Sequence, residues 1–263
     1  MSYIPAVPYS GNLGWSFLQQ TRDAQQAAFD KSSIVERETA YFAENIGSVT
    51  SAEDLVSDRR LFAVALGAFG LGDDISNTFF VRKVLEEGTI DPESFANKLS
   101  DKRYADMSEA FGFDVSPPNT VLSDFADKVI TSYKTREFEV AVGEQDTTLR
   151  LAMGFEREFA TLVDKATTDD AVWFGILAST SLRTVFEGAF GLPEGFGAID
   201  IDRQAEVLKE RANAYFGTEN PADLLNEETQ ERLLRRFLVA EEISASAGSS
   251  SASIALALLQ GTV

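Results

Sequence analysis

Carboxylates are the side chains with which this sequence could most readily carry out chemistry. The chain has 263 residues, of which 42 are acidic, and it contains neither histidine nor cysteine. It therefore lacks the commonest general acid–base and metal ligand, and it cannot form thiolate nucleophiles, disulfides or cysteine-based zinc sites. Acidic neighbours occur as Glu86-Glu87, Asp169-Asp170 and Glu241-Glu242. Because adjacent residues do not share a helix face, we interpret each pair as solvated surface.

Two short motifs resemble ligand-binding loops but depart from the patterns that such loops require. GLGDD at Gly70–Asp74 has no following Lys-Ser/Thr and comes after a predicted helix, so it fits no phosphate-binding loop. DID at Asp200–Asp202 begins like a calcium loop, but Ala205 and Arg211 stand where an EF-hand needs glycine and glutamate. We therefore predict no catalytic residue, no cofactor and no metal site.

The elements that would position any site are predicted to be helices. LFAVALGAFGL at Leu61–Leu71 and LRTVFEGAFGL at Leu182–Leu192 repeat one apolar stripe at the spacing i, i+3, i+4, i+7, i+8. The phrase GAFGL recurs intact after 121 positions. Gly70 and Gly191 follow the stripes, where a helix C-cap favours a residue that tolerates positive φ. The sequence therefore predicts an all-α fold.

The middle of each repeated helix contains a second glycine, Gly67 or Gly188. A glycine inside a helix costs about 1 kcal/mol relative to alanine. Close approach of another backbone would account for that cost, so we interpret GAFGL as a tight helix contact followed by a cap. A ligand site common to both copies is the alternative interpretation.

Weaker echoes extend the repeat on both sides. ERE at Glu36–Glu38 recurs at Glu156–Glu158, and the segment from Asp91 to Phe113 has an echo from Asn220 to Leu238. We predict two similar multi-helix subdomains from an internal duplication. The predicted organisation is a flexible N-terminal segment 1–14, repeat unit 15–113, linker 114–127, repeat unit 128–243 and a flexible Ser-rich tail 244–263.

Charge is absent at both ends and strongly negative between them. Arg22 is the first charged residue, residues 244–263 carry none, and the net charge is −19. Such a chain repels nucleic acid and anionic lipid, whereas it suits a basic partner or simple solubility. We expect the basic cluster Arg232–Phe237 to pair with nearby glutamates, and Trp15 and Trp173 to be core or interface anchors. No apolar run is long enough to span a bilayer, and no secretory signal is predicted.

The segments around the first repeat carry a family resemblance. AEDLVSDRRLFAVALGAFGL, then FVRKVLEEGTIDPESFANKLSDKRY and AFGF, resemble an uncharacterised bacterial family, domain of unknown function 1217. The resemblance is close over residues 41–113 and weaker over 156–240. It implies an association with flagellar gene clusters in alphaproteobacteria, and it supplies no activity, catalytic residue or cofactor.

Three functional hypotheses follow. The first is a non-enzymatic structural or interaction protein of flagellar assembly or motility, with a protein partner and uncharged ends that dock or guide export. The second is an acidic cytoplasmic helical adaptor or export chaperone, and the third is a carboxylate-dependent enzyme. The predicted location is accordingly the cytoplasm, or outside the cell after export through the flagellar apparatus. The oligomeric state is left open.

Overall fold

The structure, a computed structural model, describes residues 3–260 and the side chains of residues 3–246. Within residues 3–260 it contains helices and no β-strand, which confirms the all-α prediction. The α-helices are α1 Gly11–Asp30, α2 Ser33–Asn45, α3 Ala52–Ser57, α4 Arg59–Phe69, α5 Thr78–Glu87, α6 Phe95–Lys98, α7 Arg103–Phe111, α8 Phe125–Gly143, α9 Thr147–Lys165, α10 Asp169–Ala178, α11 Thr180–Phe190, α12 Ile201–Phe216 and α13 Glu227–Gln260. Five 3-10 turns connect some of the described helices.

The chain divides into two compact units. Unit 1 comprises Thr21–Val142 with the chain up to Ala6, and unit 2 comprises Val7–Gln20 with the chain from Gly143 onward. This division differs from the predicted linker at 114–127. Thr120 in that segment is buried and its hydroxyl donates to the Val49 carbonyl at 2.6 Å, so the segment packs into unit 1.

The core of unit 1 forms around the apolar face of α4. Its largest buried side chains include Phe42, Phe62 and Phe111, which pack with residues from α2, α3, α5 and the start of α8. Phe111 contacts Phe125 edge to face, with a ring-centroid distance of 5.1 Å. Burial of these rings is a main favourable term for the unit, because aromatic side chains remove large apolar areas from water.

The core of unit 2 is a chain of aromatic rings centred on Phe186 of α11. Phe155, Phe159 and Phe190 lie 5.4 to 5.6 Å from it, measured between ring centroids. Trp173 is buried and its indole N–H donates to the Glu219 carbonyl at 3.2 Å. Trp15 of α1 is also buried, so both tryptophans are core anchors, as predicted.

The repeated phrase ends both of its helices in the same way. The glycine after the helix has a left-handed φ, 72° in the first copy and 61° in the second. The next leucine donates its N–H to the carbonyl five residues earlier, Leu71 to Leu66 at 2.8 Å and Leu192 to Glu187 at 2.9 Å. These are the hydrogen bonds of a Schellman cap, so the predicted C-caps are confirmed. Descent of the two units from one duplicated ancestor remains a prediction.

The glycines inside α4 and α11 face aromatic rings. A Cβ at Gly67 would lie 2.8 Å from the ring of Tyr133, and a Cβ at Gly188 would lie 2.8 Å from the ring of Phe237. The expected close approach therefore exists, but a side chain rather than another backbone makes it. A ring resting on the helix surface leaves no room for a methyl group.

Helices extend into both terminal segments, whose predicted flexibility remains a prediction. The Ala6 N–H donates to Gln25 Oε1 at 2.6 Å, and α1 begins at Gly11, within the segment predicted to be flexible. α13 continues through the Ser-rich segment to Gln260. Extending an existing helix needs no new nucleus, and no proline follows Pro221. The last three residues of the predicted tail lie outside the described residues.

Among the described helices, none has the length and apolar character needed to cross a membrane.

The ring contact predicts an unusual response to a helix-stabilising substitution. Gly67→Ala should raise helix propensity by about 1 kcal/mol, but the new methyl group would displace the Tyr133 ring, which costs about 1–3 kcal/mol. We expect a net loss in the free energy of unfolding of about 1 kcal/mol, measured by urea denaturation.

Gly72→Ala is the matched control, since a Cβ there would meet no atom within 4 Å. It should leave the unfolding midpoint close to that of the wild type. Equal or greater stability of Gly67→Ala would show that the ring contact does not constrain α4.

Candidate functional site

The acidic pairs identified in the sequence do not converge on a reaction centre. On α5, Glu86 lies 3.4 Å from Arg82 and Glu87 lies 3.7 Å from Lys83, each as an i, i+4 ion pair. Asp170 pairs with Lys209 at 2.5 Å. In the part of the chain that the structure describes, no group of three or more acidic residues could hold a metal ion.

The two motifs that resembled ligand loops are parts of helix ends. Asp200 caps the N-terminus of α12, where its carboxylate accepts from the Asp202 N–H at 2.9 Å. Asp74 of GLGDD accepts from the Tyr104 hydroxyl at 2.5 Å. Burial and this hydrogen bond raise the pKa of Tyr104. Both aspartates therefore have local structural partners.

A polar pocket of about 570 Å³ lies beside the junction of α3 and α4 in unit 1. Asp54, Asp58 and Arg59 are among its lining residues. Asp58 is the N-cap of α4 and accepts from the backbone amides of Arg60 and Leu61 at 2.9 and 3.1 Å. The carboxylates of this pocket thus serve as anchors for helix ends.

The pKa of Asp58 is lowered in the folded chain. Burial acts to raise this pKa, but the Tyr41 hydroxyl, which donates to Asp58 at 2.6 Å, and the capped amides of α4 outweigh it. The pKa of Asp54 is also lowered, first by the hydrogen bond with the Ser51 side chain. Ionised acceptors of this kind are poor proton donors near neutral pH, so the pocket does not favour general acid chemistry.

The basic cluster on α13 is engaged within unit 2. Arg235 pairs with Glu231 at 2.6 Å, as the sequence predicted. The Arg232 guanidinium lies 5.3 Å from the Phe216 ring, and the Arg236 guanidinium lies 3.6 Å from the Tyr215 ring. Through these cation–π contacts, the basic cluster holds the aromatic side chains of α12 in position.

A groove of about 360 Å³ opens in unit 1 where the first GAFGL helix ends. Phe69 lines it together with apolar residues of α7 and α8, and Lys128 lies at its edge. Leu122, one of its lining residues, is an exposed large apolar side chain. The groove was not predicted, because its walls come from segments that are far apart in sequence.

The uncharged N-terminal segment contacts α13 just before the uncharged tail, within unit 2. The Asn12 N–H donates to Glu242 Oε1 at 3.2 Å, and Gly11 lies so close to this carboxylate that a Cβ would overlap it. Beside this contact, Leu13 is 73% exposed and Ile243 is 64% exposed. Val239, one turn before Ile243 on α13, is also exposed. We call Leu13, Val239 and Ile243 the end strip.

Comparison with known proteins decides the family. The family described as protein of unknown function (DUF1217) matches residues 68–224, which is more than half of the chain. The chain belongs to this family. The family resemblance predicted from the sequence is therefore confirmed, and the match begins within the first GAFGL copy of this DUF1217 protein and includes the second.

A crystal structure of a protein from Agrobacterium tumefaciens, solved as a structural genomics target, is similar over nearly the whole chain. The sequences are 31% identical, the TM-score is 0.72, and the match covers 92% of this chain and 99% of that one. The comparison with curated proteins gave no match. The family match and the similar crystal structure thus establish the family and the fold. The function has to be argued from the surfaces of this DUF1217 chain.

The cap at Asp58 predicts a pH-dependent contribution to stability. Because the folded pKa is lowered, the stabilisation is present above the unfolded value of about 3.9 and is lost as the pH falls through the folded value. Asp58→Ala should lower the free energy of unfolding by about 1–2 kcal/mol at neutral pH. Its deficit relative to the wild type should shrink in acid.

Urea unfolding of the wild type and of Asp58→Ala, at neutral pH and at a pH below about 4, measures how this deficit depends on pH. Glu44→Ala, which removes an exposed acid of α2, is the control and should behave like the wild type. A deficit of Asp58→Ala that stays constant with pH would show that the charge of Asp58 does not contribute.

Proposed function

We propose that this protein is a non-enzymatic interaction protein that serves bacterial flagellar assembly or motility and binds another protein through the end strip. The observation that carries the proposal is the contact between Asn12 and Glu242, since it joins the uncharged N-terminal segment to α13 just before the uncharged tail, beside exposed apolar side chains. These two residues are separated by 230 positions in sequence.

The end strip has the chemistry of a protein-binding surface. Leu13 and Ile243 expose aliphatic side chains next to the uncharged segments, whereas the whole chain has a net charge of −19. Exposed apolar side chains grouped together favour association with a protein, and charged residues are depleted at the centre of such interfaces. The helix α13 continues to Gln260, and no charged residue follows Glu242 in the sequence.

The flagellar part of the proposal depends on the family. The DUF1217 resemblance implies an association with flagellar gene clusters, which is an association between genes and not evidence of a mechanism. The absence of cysteine, the acidic composition and the uncharged ends are compatible with an exported flagellar component. A nucleic-acid partner is disfavoured by the net charge.

The carboxylate-dependent enzyme has less support. The acids of the polar pocket in unit 1 hold helix ends, and the pKa values of Asp54 and Asp58 are lowered rather than raised. A general acid at neutral pH needs a raised carboxyl pKa.

The acidic adaptor or export chaperone is the second candidate, favoured by the net charge of −19. It would stay in the cytoplasm and hold a basic partner, and added salt would weaken that complex by screening exposed charge pairs.

Localisation in cells tests the proposal first. We expect the protein in the culture medium of the wild type, its loss from the medium in a strain without the flagellar export gate, and impaired swimming in a deletion strain. Normal swimming and normal filament number in the deletion strain would contradict a flagellar role. Retention in the cytoplasm of both strains, with a salt-sensitive partner, would support the adaptor instead.

Charge placed on the end strip tests the binding surface. Leu13→Glu combined with Ile243→Glu should fail to restore swimming to the deletion strain, because two carboxylates would have to be desolvated at the interface. Ile199→Glu combined with Ile201→Glu, an equally acidic change at two exposed apolar residues elsewhere in unit 2, should restore it.

Circular dichroism melting of both variants checks that they remain folded. Restored swimming by the double variant would exclude the end strip as the binding surface. If the purified wild type self-associates and the double variant does not, the bound protein is a second copy of this chain.

A further inference from the structure

Charged side chains are confined to one continuous part of the sequence. The first belongs to Arg22 and the last to Glu242, and together they give the chain its net charge of −19. A basic partner gains most from contact with this charged part, whereas a partner that is itself strongly acidic is repelled by it. The uncharged segments on either side are therefore the place where a second copy of this chain meets the least repulsion.

The uncharged part of α13 has an apolar face that continues the end strip. Residues separated by whole numbers of turns, at about 3.6 residues per turn, share one face of a helix. After Ile243, the residues on its face of α13 are Ala247, Ser250, Ile254 and Leu258. Val239 lies on the same face one turn before Ile243, and both side chains are exposed. The face thus extends from the end strip almost to Gln260.

The order of large and small residues along this face is symmetric about the peptide bond that follows Ser250. Ile243 and Leu258 are equally far from that bond in sequence, and Ala247 and Ile254 are also equally far from it. When two copies of the face run antiparallel about this centre, Ile243 of each copy lies opposite Leu258 of the other. Ala247 then lies opposite Ile254, which combines a small residue with a large one, as packed helix faces require.

An antiparallel arrangement also keeps the charges of the two copies apart. Glu242, the last charged residue, would lie opposite Leu259 of the second copy. At a rise of about 1.5 Å per residue, that position is about 25 Å along the helix from the second copy's own Glu242. The screening length at physiological salt is about 8 Å, so the repulsion between the two carboxylates is largely screened. Parallel helices would place them side by side.

The composition of α13 gives a further reason for a packed partner along this face. Residues 244–253 contain six serines and one glycine, which are weaker helix formers than alanine or leucine. Helices of such composition are stabilised mainly by tertiary packing of an apolar face. α13 continues through this stretch to Gln260. Pairing with a second helix would supply the packing that its composition requires.

We propose that two copies of this chain associate through the apolar face of α13 from Val239 to Leu258, with the two helices antiparallel. Leu13, which lies next to the contact between Asn12 and Glu242, would cover the edge of the same interface. A two-fold dimer of this kind buries the same face of both copies and brings no charged side chain to its centre. This inference rests on the proposed function in using the end strip, and it names the partner as a second copy.

Sedimentation of the full-length protein at several protein and salt concentrations tests the association. We expect a monomer–dimer equilibrium whose dissociation constant falls about tenfold between about 0.05 and about 0.5 M sodium chloride. Salt should strengthen the dimer because it screens the repulsion between two copies that each have a net charge of −19. A protein that stays monomeric at every salt concentration would overturn the proposal, and so would an association that salt weakens.

Charge placed on the two faces of α13 tests which face forms the contact. Ile254→Glu combined with Leu258→Glu should raise the dissociation constant about a hundredfold, because carboxylates from both copies would be buried in the interface. Leu256→Glu combined with Leu259→Glu adds the same charge on the opposite face and should change the constant by no more than about threefold. Circular dichroism melting checks that both variants are folded. Equal effects of the two variants would contradict the proposed face.

Single cysteines test the antiparallel register, since the wild type contains no cysteine. Ser250→Cys lies at the proposed centre, so mild oxidation should link it to its counterpart in the second copy. Ala252→Cys, close to the centre but on the opposite face, should stay unlinked. A mixture of Ile243→Cys and Leu258→Cys proteins should give mainly the mixed dimer. Equal linking of Ala252→Cys, or a predominant Ile243→Cys homodimer, would refute the proposed arrangement.

These outcomes separate the inference from the proposed function. If the wild type is monomeric but Leu13→Glu combined with Ile243→Glu fails to restore swimming, the end strip binds a different protein and only the second copy is excluded. If the dimer forms as described but a deletion strain swims normally, the flagellar proposal is wrong and the dimer is unaffected.

Discussion

The contact between an aromatic ring and a mid-helix glycine constrains both units of this protein. Tyr133 rests on Gly67 and Phe237 rests on Gly188, with no room for a methyl group in either case. This contact fixes the register of the crossing helix, since a shift by one residue would rotate the ring away from the glycine. In unit 2, the positions of Arg232 and Arg236, and hence of the α12 rings that they hold, depend on that register.

Local features of the sequence predicted the fold class and the ends of the repeated helices. An apolar stripe at helical spacing followed by Gly70 or Gly191 specifies a Schellman cap through interactions within a few residues. The prediction of a linker at 114–127 differed from the structure because burial of Thr120 against Val49 is a contact over 71 positions, which composition does not reveal. The Ser-rich composition after Ile243 gives no sign of the continuation of α13, which needs no new helix nucleus.

The surfaces that could carry function were harder to predict than the core. Asn12 and Glu242 are separated by 230 positions in sequence, and no local pattern predicts their contact. The groove beside Phe69 leaves no local trace in the sequence, because its walls come from the end of α4, from α7 and from the segment that leads into α8.

A repeated motif in one chain offers an internal comparison that a single site cannot. Both GAFGL phrases satisfy the same requirements for a cap and a glycine contact, so differences around them reflect what each unit packs against the phenylalanine. In unit 2, Phe190 lies against Tyr215 and Phe216, and Arg232 and Arg236 hold these rings in position. In unit 1, Phe69 lies 6.3 Å from Phe111, the same centroid distance that separates Phe190 from Phe216. Phe111 and Phe216 each precede a glycine with a left-handed φ, so both phrases are completed by a ring from the C-terminal end of a second helix.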